Sequence, residues 1–196
     1  MPRQPPQNLR ADARRNREIA LDAGLELLAE GREVTMDQVA DRAGIGRATL
    51  YRHFATREEL IQAVLARVVE LARAAADTAI RKGGTAEDIL RRLGTIIVGF
   101  GARYLFLSDY RHLSRHLLEP FDAESDPTLA WVRDAHKRGE LRSELSPEWI
   151  VQVIVALGMA VSGALEGSPA DDRIIEAQLA DTLVQAFVAE AGRTRS

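Results

Sequence analysis

The 196-residue chain contains no cysteine, and aromatic residues make up only 5% of it. The absence of cysteine excludes disulfide bonds, cysteine nucleophiles and thiolate metal ligands. The most apolar segment, residues 149–165, spans 17 residues and includes Gln152, Ser162 and two glycines. It is shorter than the roughly 20 apolar residues that cross a bilayer. The basic N-terminus also has no apolar core of a signal peptide, so we expect a cytoplasmic protein with no membrane partner.

The net charge of −3 is small, and by itself it argues against a nucleic-acid partner. The distribution of charge is more informative. Residues 1–17 contain five arginines and one acidic residue, and residues 1–60 contain ten arginines and ten acidic residues. The remainder of the chain therefore carries the whole negative charge. An N-terminal part with its arginines on one side can bind a polyanion while the rest keeps the protein soluble.

The segment TMDQVADRAGIGRATLYRHF, residues 35–54, predicts two short helices joined by a tight turn. Thr35 and Gln38 have the spacing of a capping box, which fixes the start of the first helix. Gly44 supplies the left-handed conformation that ends this helix. Leu50 and Phe54 are four residues apart and face inward from the second helix.

The outward side of this second helix carries basic, hydroxyl, phenolic and imidazole groups, although the helix is too short to need them for stability. Such groups bond phosphate oxygens and base edges. A helical hairpin of this kind is common, but this side-chain content is not. The segment therefore indicates a DNA-binding helix-turn-helix.

The run AGIGRATLYRHFATREEL resembles the helix-turn-helix signature of the TetR family of one-component transcription regulators. The resemblance covers roughly residues 14–62, and its glycine, threonine, tyrosine and phenylalanine fall in register. It implies a homodimeric regulator, most often a repressor, that binds DNA and a small organic ligand. One departure is Gly46, where the family often has a serine that can cap the recognition helix and touch the DNA backbone. Glycine still caps acceptably.

The helical periodicity of the chain, with no run of strand alternation, predicts an all-α fold of about nine helices. We expect a disordered arm over residues 1–11, a three-helix DNA-binding domain over 12–56, and a ligand-binding and dimerisation domain over 57–196. Ser108 and Asp109 are expected to break or bend one helix, with another running on to Glu119. A long helix beginning after Thr56 would connect the two domains.

For DNA binding, we expect Arg47 and Thr49 to lie nearest the base edges of a major groove. Thr35, Tyr51, His53 and Arg57 would hold phosphates. The complete predicted set is Thr35, Arg47, Ala48, Thr49, Tyr51, Arg52, His53 and Arg57. Two copies would read half-sites of a near-palindromic operator about 34–36 Å apart, or a multiple of that, which would place the protein at the nucleoid.

Most of the aromatic and imidazole groups lie between Phe100 and Trp149, interspersed with arginines. Large apolar rings with a few polar anchors suit a pocket for a small organic ligand, although they equally suit a plain core. The predicted ligand-binding residues are Phe100, Arg103, Tyr104, Tyr110, His112, His116, Trp131 and Trp149.

The helix of residues 149–165 is apolar on more than one side, so it should keep apolar surface after packing on its own domain. A four-helix bundle made with the last helix and a second copy of the chain would bury that surface. The predicted interface residues are Ile150, Val153, Ile154, Leu157, Val161, Leu183 and Phe187.

Two other classes of function compete with a DNA-binding regulator. His112 and His116 are four residues apart and could face one metal ion, but no HExxH arrangement places a base beside them. The chain also lacks a phosphate loop, a nucleophile elbow and a dinucleotide-binding glycine pattern, so we expect no enzyme, no cofactor and no resident metal. A dimeric helical protein that binds small molecules without DNA would leave the exposed Arg47, Tyr51 and His53 unexplained.

Overall fold

The structure, a computed structural model, describes residues 6–31, 34–104, 110, 126–165 and 172–190. This part of the chain forms eight helices, which confirms the all-α prediction. They are α1 (Pro6–Ala29), α2 (Met36–Ala43), α3 (Arg47–His53), α4 (Arg57–Arg81), α5 (Ala86–Arg103), α6 (Pro127–Lys137), α7 (Pro147–Leu165) and α8 (Asp172–Phe187). The expected helix before Glu119 lies outside the described residues. Strand-like pairing in these residues is limited to an isolated antiparallel bridge between Leu141 and Val188.

Helix α1 begins at Pro6, so the prediction of a disordered arm over residues 1–11 is wrong for residues 6–11. Proline fits the first position of a helix, because its missing N–H has no helical partner there and its φ is already helical. No glycine or second proline follows before Gly24. The helix can therefore extend toward the N-terminus beyond the start that the apolar periodicity predicts.

The chain divides into two compact units, Met1–Val68 and Val69–Ser196. The boundary falls inside α4 rather than between residues 56 and 57 as predicted. Leu60, Ile61, Val64 and Leu65 are all buried, so the first part of α4 belongs to the core of the N-terminal unit. The prediction sets the boundary at the start of the long helix, whereas the packing of the apolar side chains sets the real one.

In the N-terminal unit, α1, α2 and α3 pack against one another. Helix α1 also approaches α4 closely at Gly24, where an added Cβ would lie 3.1 Å from Val64 Cγ2. A larger side chain at Gly24 would push these two helices apart. The core includes Leu21, Leu27, Leu28, Val39, Leu50, Phe54 and Ile61.

In the C-terminal unit, α5 packs on α7 and α8, and α6 packs on α7. Asp126 is the buried N-cap of α6, and its Oδ1 accepts from the backbone N–H groups of Thr128 and Leu129 at 2.8 and 3.1 Å. Its Oδ2 lies 3.5 Å from Nε of Arg73, a residue of α4. The cap therefore also links α6 to the second half of α4. No helix in the described ranges is both long and apolar enough to span a membrane.

Candidate nucleic-acid interface

The start of α2 is held by the predicted capping box. The hydroxyl of Thr35 accepts from the N–H of Gln38 at 3.3 Å, and the N–H of Thr35 donates to Gln38 Oε1 at 2.9 Å. Arg57, in the first turn of α4, donates from Nε to the carbonyl oxygen of Val34 at 2.6 Å. Two separate contacts therefore fix the residues that lead into α2.

The turn between α2 and α3 depends on Gly44, whose φ of 64° lies in the left-handed region. The N–H of Ile45 donates to the carbonyl of Ala40 at 3.1 Å, which closes the end of α2. Helix α3 then begins after Gly46, which makes no side-chain cap. The tight turn predicted from the glycine spacing is confirmed.

Helix α3 buries one side and exposes the other, because Leu50 and Phe54 point into the core. Tyr51 keeps 50% of its surface exposed. The other side chains of α3 are also either exposed or half-buried. Arg47, Ala48 and Arg52 are exposed, and Thr49 and His53 are half-buried.

His53 lies between two cations at the end of α3. Burial lowers the pKa of His53 below its ordinary value, and the charges of Arg52 and Arg17 lower it further. Its Nε2 is buried with no hydrogen-bond partner in the described part of the chain. The guanidinium of Arg17 also lies over the Phe54 ring, 5.3 Å from its centroid. Positive charge therefore concentrates where α1 meets the end of α3.

Ion pairs tie the elements of this unit together. Arg42 of α2 pairs with Glu26 of α1 at 3.2 Å and with Glu30, the residue after α1, at 2.9 Å. Arg47, the first residue of α3, has its Nε 2.9 Å from Oδ1 of Asp37 on α2. Sequence reasoning missed these partners, because they are ten to sixteen residues apart and no local motif records them.

Arg57 differs from its predicted role in one respect. The sequence prediction gives it a DNA phosphate as partner, whereas its Nε is engaged by Val34 within the same unit. An arginine has further donors on its Nη atoms. The side chain therefore serves the position of α2 whether or not it also touches DNA.

The predicted ligand-binding residues fall in several environments of the C-terminal unit. Phe100 and the buried Tyr104 lie at the end of α5 with ring centroids 5.4 Å apart, and the Arg103 guanidinium lies 5.7 Å from the centroid of Tyr104. Trp131 is buried on α6, and its indole N–H has no partner in the ranges described. Three others do not join this group in the described structure. Trp149 is 54% exposed, and His112 and His116 lie outside the described residues.

Tyr110 is half-buried. The described ranges contain no group of three or more His, Asp or Glu side chains that could hold a metal ion. The alternative of a His112/His116 metal site falls on residues outside those ranges.

The predicted dimer residues are mostly buried within the subunit itself. Ile150, Leu183 and Phe187 belong to the core of the C-terminal unit, with Ile154 and Val161 nearly as buried. Val153 and Leu157 are only partly covered, and they lie four residues apart on one side of α7. A second subunit at this face would contact chiefly these two side chains and their exposed neighbours.

Comparisons with known proteins agree with this helix-turn-helix. A family model described as bacterial regulatory proteins, tetR family, matches residues 20–64. The chain is 28% identical over 165 residues to the HTH-type transcriptional repressor LfrR of Mycolicibacterium smegmatis, covering 79% of this chain and 82% of LfrR. It is 43% identical over 58 residues to the regulator TtgW of Pseudomonas putida, covering 29% of this chain and 43% of TtgW.

Solved structures share the fold over almost the whole chain. The crystal structure of LfrR in complex with proflavine is 26% identical with a TM-score of 0.62, and the match covers 90% of this chain and 98% of LfrR. FadR from Bacillus subtilis in complex with stearoyl-CoA is 16% identical with a TM-score of 0.66, and the match covers 85% and 97% of the two chains. Helix-turn-helix geometry, sequence match and whole-chain fold agree: residues 20–64 match the helix-turn-helix region of the tetR family of bacterial regulatory proteins, and the described chain shares the fold of regulators of that type.

Proposed function

We propose that this regulator is a repressor that binds a near-palindromic operator and releases it when a small organic ligand binds the C-terminal unit. The observation that carries the proposal is the solvent-facing side of α3, where Arg47, Tyr51 and Arg52 are exposed together. An exposed tyrosine between two arginines has no role in the core. The tyrosine hydroxyl and the two guanidinium groups supply hydrogen-bond donors for phosphate oxygens and base edges.

In this proposal α3 enters the major groove with its first residues toward the bases. Arg47 and Thr49 read base edges, while Tyr51, His53 and the capping residue Thr35 contact the backbone. Two copies of the chain bind half-sites about 34–36 Å apart, or a multiple of that spacing. The half-covered Val153 and Leu157 support a homodimer through α7 and α8.

The ligand is proposed to bind among the aromatic residues of the C-terminal unit. Related proteins with this fold hold proflavine, in LfrR, and stearoyl-CoA, in FadR. In this chain, Phe100 and Tyr104 supply ring surface. The indole N–H of Trp131, which has no partner among the described residues, supplies a buried donor. Buried indole N–H groups usually have a partner, so an acceptor on the ligand would form a hydrogen bond with this N–H.

Ligand binding can release the operator only if the ligand prefers the arrangement that does not fit DNA. A preference of about 1–3 kcal/mol changes operator affinity about 5- to 150-fold. Helix α4 contributes residues to both units and is the covalent route for this coupling. By linkage, operator DNA must weaken ligand binding by the same factor. A compound that binds equally well with and without operator DNA is therefore not the inducer.

The test compares two α3 variants on duplexes recovered by selection from genomic fragments. Tyr51→Ala is expected to weaken binding to all duplexes alike, because it removes a backbone contact. Arg47→Ala is expected to lose about 1–3 kcal/mol of preference at particular base pairs. Lys82→Ala is the control, since it removes one exposed charge from the C-terminal unit. Unchanged binding by both α3 variants in a gel-shift titration would contradict the proposal.

The competing function is a dimeric helical protein that binds small molecules without DNA. It predicts that no duplex is enriched, or that any DNA binding is insensitive to salt. A regulator instead loses affinity steeply as salt rises, because counterions are released from the phosphates that it contacts. A titration at two salt concentrations therefore separates the two functions.

A further inference from the structure

In the proposed function Arg47 reads a base, and in the free protein it already has a partner. Its Nε lies 2.9 Å from Oδ1 of Asp37, and the two side chains are 65% and 49% exposed. Asp37 is the second residue of α2, and Arg47 is the first residue of α3. The ion pair therefore bridges the two helices across the turn at Gly44.

A guanidinium has two edges that can donate a pair of hydrogen bonds. Asp37 lies against the Nε edge of Arg47, and no further partner of this guanidinium is found in the described residues. The terminal edge, formed by Nη1 and Nη2, stays available. Guanine accepts a bidentate pair from arginine at its O6 and N7 atoms in the major groove, so the available edge matches guanine.

We propose that Asp37 is a positioning residue that holds Arg47 for guanine recognition, and that the half-site therefore carries a guanine opposite the start of α3. This inference rests on the proposed function. Asp37 would act in two ways. It restricts an otherwise mobile side chain before binding, which reduces the entropy lost on DNA, and it stabilises the charge of Arg47 once water leaves the interface.

Asp37 has two other effects that a test must separate from positioning. A carboxylate in the first turn of α2 stabilises the helix, because it interacts favourably with the positive end of the helix dipole. The same negative charge also repels DNA phosphates, so its removal should tighten binding to every duplex. Neither effect depends on the base opposite Arg47. The preference between duplexes measured on one protein sample is therefore the informative quantity, because the folded fraction cancels from it.

Asp41 provides a matched control. It lies on the same short helix, is exposed, and forms no side-chain ion pair within the described part of the chain. Asp41→Asn removes the same charge from α2 as Asp37→Asn does, without touching Arg47. The difference between these two variants isolates the contact with Arg47 from the change in net charge.

The experiment selects duplexes from a pool with a randomised central segment, using the full-length protein and its variants. The duplexes selected by the wild-type protein should be enriched in guanine at one symmetric pair of positions. Competition titrations then compare the selected duplex with versions in which that guanine is replaced. Arg47→Ala should lower the preference about 5- to 150-fold, Asp37→Asn about 3- to 5-fold, and Asp41→Asn should leave it unchanged.

The double variant gives a readout that a merely structural role would not produce. Because Asp37 is proposed to act through Arg47, adding Asp37→Asn to Arg47→Ala should cause no further loss of preference. Equal preferences in Asp37→Asn and Asp41→Asn, or a guanine preference that survives Arg47→Ala, would overturn the inference. Failure of the wild type to enrich any duplex would instead contradict the proposed function itself.

Discussion

At the scale of single residues, three arginines of the N-terminal unit already have partners in the free protein. Arg42 pairs with Glu30, Arg47 with Asp37, and Arg57 donates to the carbonyl of Val34. A side chain that is already oriented loses less conformational entropy when a partner binds. The unit therefore presents a partly organised set of donors before DNA arrives.

His53 leads to a prediction about pH. Its pKa is lowered in the folded protein, first by burial and then by Arg52 and Arg17, whereas the unfolded chain has the ordinary value of about 6.5. As the pH falls through that value, the unfolded state takes up a proton that the folded state resists. The free energy of unfolding should therefore fall, and His53→Gln should remove this contribution.

Urea unfolding of both proteins at about pH 7.5 and about pH 5.5 measures the effect, because these values bracket the ordinary histidine pKa. The wild type should lose more stability between the two than His53→Gln does. The other titrating groups are common to both proteins and cancel in the comparison. An equal loss in both would show that His53 resists protonation no more in the folded chain than in the unfolded one.

At the scale of elements, local signals set most helix starts. The capping box at Thr35 forms as the sequence predicts. A second capping box forms at Thr85, and Asp126 caps α6 with Pro127 at its first position. Helix ends are less regular. Helix α5 ends at Arg103, and α8 ends at Phe187. No glycine marks either end, so the sequence carries no local signal for these two helix ends.

Helix α3 allows a test of its weak cap. Gly46 has a φ of −65°, which any residue adopts, and an added Cβ would meet only Thr49 Oγ1 at 3.9 Å. Serine should therefore fit and accept from the first N–H groups of α3, whereas alanine fits but cannot accept. Gly46→Ser should be more stable to unfolding than Gly46→Ala by about 1 kcal/mol.

Comparing serine with alanine cancels the loss of glycine flexibility in the unfolded chain, which affects both variants. Denaturant unfolding followed by circular dichroism gives the difference. If the two variants are equally stable, the first turn of α3 does not depend on a side-chain cap. An increase in operator affinity for Gly46→Ser alone would indicate that the hydroxyl also contacts the DNA backbone.

At the scale of the whole molecule, the central prediction is a homodimer. Val153 and Leu157 lie together on α7 and are only partly covered by their own subunit. Leu157→Glu should place a charge in the proposed contact and shift the protein to monomers, because a buried unpaired charge is strongly unfavourable. Sedimentation measures the change, and helical content checks that the variant still folds.

Gln62→Glu is the control, since Gln62 is exposed on α4 in the N-terminal unit and is not part of α7 or α8. The monomeric variant should also lose most of its affinity for a two-half-site duplex, because one reading helix can engage only one half-site. A Leu157→Glu protein that remains dimeric and helical would place the subunit contact on another surface.

The sequence by itself determined the helical class, the two short helices around Gly44, and which side of α3 faces outward. These features follow from spacing over three or four residues, and such spacing is visible in the chain. Only the tertiary structure decided that α1 starts at Pro6, that the unit boundary falls within α4, and that Ile150, Leu183 and Phe187 fill the subunit's own core. It also decided the partners of Arg47 and Arg57, because contacts between side chains ten or more residues apart depend on how helices pack.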